Sequence, residues 1–74
     1  MNSNLYYKTP LFFRKRWEEK IVNELSCPLY KIVNNEKFYG NDNIMITVNS
    51  HVTIVIFLNE TDELRRKVKN TLRK

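Results

Sequence analysis

The 74-residue chain contains no alanine and no glutamine, a single cysteine, a single glycine, a single histidine and two prolines. Each scarcity removes a class of answer. With Cys27 alone there is no intramolecular disulfide, so the usual staple of small secreted domains is missing and a reducing compartment is the natural setting. One histidine and one cysteine cannot supply the ligands of an ordinary structural zinc site, and neither a metal nor another cofactor is expected. Gly40 by itself cannot build a glycine-rich phosphate loop. No apolar run approaches the roughly 20 residues of a membrane helix; His51–Leu58 is of strand length, so no membrane partner is expected. The start, Met1-Asn2-Ser3-Asn4-Leu5-Tyr6-Tyr7, lacks the basic-then-apolar order of a secretory signal, and Asn2 stands where myristoylation requires glycine.

What is present points to a packed core carried by a basic surface. A hydrophobic fraction of 42% is ordinary for a globular chain and too high for a disordered one. The length suits one small domain spanning residues 1–74, with 1–8 as a flexible N-terminal segment. The formal net charge of +5 favours polyanions or an acidic protein surface as partners. The absence of alanine beside many Asn, Lys and Ile residues fits an AT-rich coding sequence, as in a phage, a virus or an AT-rich bacterium, with the host cytoplasm as the setting if phage-encoded.

The pattern predicts an α+β fold in the order α-β-β-β-β-α, a short antiparallel sheet with N- and C-terminal helices packed on it. Thr9-Pro10 reads as a cap and first helical residue, opening a helix from about Pro10 to Leu25. Phe13, Trp17, Ile21 and Leu25, with Leu11 and Val22 beside them, form its apolar face. Ser26-Cys27-Pro28 ends it. Leu29–Val33 and Glu36–Tyr39 read as strands joined by Asn34-Asn35, a pair that tolerates positive φ. Gly40-Asn41-Asp42-Asn43 is a loop. Ile44–Val48 and His51–Leu58 alternate as strands closed by Asn49-Ser50, with Ile44, Ile46 and Val48 expected to share a face with Val52, Ile54, Ile56 and Leu58. The other face would carry Met45, Thr47, Thr53, Val55 and Phe57, so the last strand should be central and both its faces covered. Asn59 or Thr61 caps the final helix, with Asp62 and Glu63 in its first turn, Arg73 and Lys74 at its end, and a buried Leu64-Val68-Leu72 stripe.

Basic residues dominate the candidate sites. Arg65, Lys69 and Arg73 form a ridge at helical spacing, with Arg66 and Lys67 on the outer side, able to follow a phosphate backbone. Arg14-Lys15-Arg16 forms a second basic run, partly offset by Glu18 and Glu19 one turn on. Tyr39 beside Lys37 suits stacking on unpaired bases if exposed, and Tyr6 and Tyr7 lie where exposure is equally open. The same features also describe a solvated helix and a filled core. No catalytic residue stands out: Cys27, Ser50 and His51 show no spacing that marks a catalytic group, and His51 reads as a hairpin residue. Asn59-Glu60-Thr61 fits the glycosylation pattern and reads as a helix cap.

Asn23-Glu24-Leu25 followed by Pro28-Leu29-Tyr30-Lys31-Ile32 resembles the helix-to-strand segment of double-stranded-RNA-binding domains. That resemblance implies shape-based reading of an RNA duplex, with Arg65, Arg66 and Lys67 on phosphates. The family's glycine-rich loop and lysine pair are replaced here by Asn59-Glu60-Thr61-Asp62-Glu63, so no family is assigned. The expectation is a small basic non-catalytic binding protein that contacts nucleic acid, RNA favoured, through the C-terminal helix and an aromatic sheet edge. The alternative is a phage-type inhibitor of a host protein, such as a nucleic-acid-processing protein or toxin, and a small ribonuclease toxin comes third.

Overall fold

The computed structural model of the chain describes residues 4–73. In chain order they form β1 (Leu5–Lys8), α1 (Arg14–Asn23), β2 (Leu29–Val33), β3 (Glu36–Gly40), β4 (Ile44–Val48), β5 (Val52–Phe57) and α2 (Asp62–Leu72). The result is a small α+β fold with one antiparallel sheet in the order β1-β5-β4-β3-β2. Trp17, Ile21 and Leu25 from the α1 region and Val68 and Leu72 from α2 share one buried cluster with Tyr39, Ile44, Ile46, Val48, Val55 and Phe57. Both helices therefore cover the same face of the sheet. No helix is long and apolar enough to cross a membrane among the described residues.

Several junctions follow from local chemistry. Asn34 and Asn35 take φ of 50° and 67°, the paired left-handed conformation of a tight hairpin. Thr61 caps α2 by accepting from the Leu64 amide at 3.1 Å, and Asp62 and Glu63 follow in the positive first turn. Asn41 ties the end of α1 to the loop before β4. Its Nδ2 donates to the carbonyls of Leu25 and Ser26, while its Oδ1 accepts from the Asn43 and Ile44 amides. Asn49 does the same work at the β4–β5 turn, accepting from the His51 and Val52 amides.

Four expectations are corrected. The segment expected to be flexible supplies, over Leu5–Lys8, an edge strand paired with β5, making five strands; Met1–Ser3 lie outside the described residues, as does Lys74. The first helix begins at Arg14, because the chain leaves β1 only after Thr9, whose amide donates to the His51 carbonyl. Thr9 is buried and its hydroxyl is shared with Thr53, so it caps nothing. Leu11, Phe12 and Phe13 are left on the surface, and Val22 is partly exposed.

The fourth correction concerns β5. Ile44, Ile46 and Val48 stand opposite Phe57, Val55 and Thr53, so those three, rather than Val52, Ile54 and Ile56, face the helices. The cause is parity: Asn49 closes on Val52, leaving a two-residue turn at Ser50-His51, and an even loop pairs even positions with odd ones. β5 ends at Phe57 and Leu58 is exposed. It does lie between two neighbours, β1 and β4. Nothing among the described residues covers its second face.

Candidate nucleic-acid interface

The candidate residues divide according to what the fold does with their charges. Arg14, Lys37 and Tyr39 are drawn into a network around Glu18. Its Oε2 accepts from Arg14 Nε at 3.2 Å and its Oε1 from Lys37 Nζ at 3.0 Å. This joins one turn of α1 to β3. Tyr39 is only 2% exposed, which corrects its expected availability for stacking. Burial, then the adjacent Glu18 carboxylate, pushes its phenol up to about 12, with Arg14 opposing. Lys15 lines the open depression in front of this network with Asn34, Asn35, Asn49 and Ser50. Two of the three cations there are held by the single carboxylate of Glu18, which also lines the depression and opposes a bound anion.

The C-terminal ridge is also divided. Arg65 Nη1 pairs with Glu60 Oε2 at 3.2 Å, and its guanidinium lies 5.9 Å from the centroid of the Phe57 ring. It is committed to the fold. Arg66 is exposed, and Lys67 lies beside Asn43, Asn59 and Glu63 near the start of α2. Lys69 is exposed on the helix. Arg73 is the residue after α2, in extended conformation, and it turns up next to α1.

There it meets residues that sequence spacing did not bring together. Pro10, Phe13, Arg16, Trp17, Lys20 and Arg73 line a depression of about 390 Å³. The two helices produce it: α2 starts near the β3–β4 loop, where Asn59 Nδ2 donates to the Asp42 carbonyl, and ends beside the segment that leads into α1. Arg16 and Lys20 are one turn apart on α1, so they share a side. The lining holds no carboxylate, and none of the three cations has an ion pair among the described residues. Glu19 and Glu24 stand on the adjoining surface with Arg16, Lys20 and Asn23. Phe13, 65% exposed, forms an apolar wall, and Phe12, 97% exposed, stands next to it.

Arg16 and Arg73 were thus legible as members of two separate basic runs. Lys20 was missed because it stands outside both basic runs and has Glu24 one turn on, with which it forms no ion pair among the described residues. Phe12 and Phe13 were missed because the helix was started too early, which turned Phe13 inward. The signal available was Leu11-Phe12-Phe13 itself: three successive large apolar residues cannot all face one core.

Other reactive groups are spread out. Cys27 is buried, and burial pushes its thiol up to about 11, unlike the lowered value of a reactive thiolate. His51 is exposed in the β4–β5 turn and its imidazole has no bonded partner among the described residues. No three His, Cys, Asp or Glu side chains gather among the described residues. No protein-family model, curated protein or solved structure matches the chain significantly.

Proposed function

We propose that the chain is a non-catalytic cytoplasmic binding module whose ligand is a single strand of nucleic acid, RNA before DNA, held in the depression between the two helices. One observation carries the reading: Arg16 and Lys20 of α1 and Arg73, which follows α2, line one depression with an apolar floor and no carboxylate among the described lining residues. Three cations with no ion pair among the described residues attract phosphates, and the exposed Phe12 and Phe13 rings offer faces to unpaired bases. RNA comes first because its loops and ends present such bases most often. The helix ridge enters through Arg73 alone, and the sheet edge through Tyr39 does not enter.

The test is the affinity of a short single-stranded RNA, the DNA of the same sequence and an RNA duplex at several salt concentrations. Replacing Arg16, Lys20 and Arg73 with Gln should lower the salt slope by about 2, at about 0.7 per cation on a single strand. Phe12→Ala should weaken binding about tenfold at constant slope, the loss of one stacked base. An unchanged slope in a folded triple variant removes the depression from the site.

A second reading rests on the Leu11-Phe12-Phe13 run. Apolar side chains of this size exposed in sequence are the material of a protein-binding hot spot, and they suit the inhibitor of a host protein. Pull-down with and without nuclease separates the two. Recovery of a stoichiometric, nuclease-resistant protein that requires Phe12 but tolerates the triple Gln change supports the inhibitor.

A further inference from the structure

The sheet face away from the helices is lined, strand by strand, by Tyr6 and Lys8 on β1, Val52, Ile54 and Ile56 on β5, Met45 and Thr47 on β4, Glu36 and Phe38 on β3, and Lys31 and Val33 on β2. These assignments follow from the pairing register and the alternation of each strand. One row crosses the whole sheet in register as Tyr6, Ile54, Thr47, Phe38 and Lys31. The Tyr30 ring reaches this face across Gly40, where a Cβ would meet it at 3.4 Å. It packs against Phe38 at 6.4 Å between centroids, and Lys31 Nζ lies 5.6 Å from the Phe38 ring centroid.

The face has the anatomy of an interface core. Its three central strands carry apolar residues and Thr47, with Glu36 at one end of β3, while the lysines stand on the two outermost strands. A layer that is apolar on both faces has to be covered on both. We propose that the cover is the same face of a second copy of this chain, giving a symmetric dimer of stacked sheets with the helices outside.

Three features select a second copy as the occupant. The first is area. Five strands about 4.8 Å apart and about 17 Å long make a footprint of about 400 Å². Buried from both sides that is about 800 Å² in projection, and the side chains standing out from the plane raise it toward about 1,200 Å², the lower bound of a stable interface. The second is charge. The helices and their flanks hold Arg14, Lys15, Arg16, Lys20, Arg65, Arg66, Lys67, Lys69 and Arg73, so stacking through the sheets keeps most of the positive charge on opposite outer surfaces.

The third is the row itself. Sheets pack face to face with their strands nearly aligned. A two-fold axis along the strands at β4, the middle strand, lays β1 of one copy over β2 of the other. Thr47 then faces Thr47, Ile54 faces Phe38, and Lys31 faces Tyr6 rather than another lysine. The row is complementary to its own reversal.

Thr47 on the axis makes the sharp test. Sedimentation or light scattering at physiological salt should give about 18 kDa for the wild type against 9.0 kDa for one chain. The X-ray scattering radius should be about 15 Å, against a Cα radius of gyration of 11.3 Å for one copy. Thr47→Lys sets two ammonium groups against each other and should return a folded protein of one-chain mass. Thr47→Val removes only a hydroxyl and should keep the dimer. If Thr47→Lys does not fold, Ile54→Lys is read in its place.

A wild type of one-chain mass across the micromolar range overturns the proposal. So does a folded lysine variant that keeps the double mass, which would move the contact to another surface such as Leu11-Phe12-Phe13. The same holds for a wild type that recovers its mass only with a different polypeptide. None of these results bears on the cationic depression, which lies on the helix side.

Discussion

The stability of the fold should hinge on one hydroxyl, that of Thr53. It accepts from Trp17 Nε1 at 2.9 Å and shares a 2.9 Å hydrogen bond with the Thr9 hydroxyl, all three residues being buried. Trp17 is also held by the edge of Tyr7, with ring centroids 5.8 Å apart at 69°. Thr53→Val leaves two buried polar groups, the indole N–H and the Thr9 hydroxyl, without partners at about 1–3 kcal/mol each. The extra methyl returns about 1 kcal/mol, so the net loss is about 1–5 kcal/mol, centred near 3 kcal/mol. Thr9→Val leaves the indole satisfied and should cost about 1 kcal/mol. A chain of this size has about 4–11 kcal/mol in all, and 1 kcal/mol moves the melting temperature by about 4–8 °C. Urea and thermal unfolding would therefore separate the two substitutions clearly. The decisive measurement is a double-mutant cycle. In a Trp17→Phe background Thr53→Val orphans one group fewer, so its cost should fall by about 1 kcal/mol or more. Equal costs for Thr9→Val and Thr53→Val, or no coupling to Trp17, would refute the assignment of Thr53 as the shared hydrogen-bond partner.

Two further outcomes follow from the same geometry. Removing residues 1–8 takes away β1 and the Tyr7 contact with Trp17, so the truncated chain should lose several kcal/mol of unfolding free energy, whereas loss of a free arm would change nothing; circular dichroism melts decide between them. At alkaline pH the sign is equally definite. The Cys27 thiol rises from 9.0 to about 11 and the Tyr39 phenol from 10.0 to about 12 in the folded chain. The unfolded chain therefore loses these protons first, and stability is full below pH 9 and falls between pH 9 and 12, by up to about 1.4 kcal/mol per pH unit for each group. Cys27→Ala should flatten the lower part of that fall and Tyr39→Phe the upper part, as read from urea midpoints against pH.

Much of the fold was legible because it depends on neighbours in sequence. Trp17, Ile21 and Leu25 recur at helical spacing, Asn34-Asn35 tolerates left-handed φ, Thr61 can reach an amide three residues on, and each of these local properties holds in the folded chain. The candidate site was legible only as two unconnected basic runs. Charge along a helix says where cations project relative to one another, but not which carboxylate from another element will meet them. Glu18 reached Lys37 on β3, and Glu60 took Arg65.

By itself the sequence determined an α+β chain with a basic surface and a tryptophan on the apolar face of its first helix. Tertiary structure alone decided that Leu5–Lys8 completes the sheet, since so short an edge strand has no periodicity of its own and exists only because β5 offers a free ladder. It decided which face of β5 is buried, because the two-residue turn sets parity and a strand apolar on both sides carries no preference of its own. It also decided that Arg16, Lys20 and Arg73 share one depression. Residues more than fifty positions apart meet there because two helices pack side by side on one sheet, and no local pattern encodes that distance.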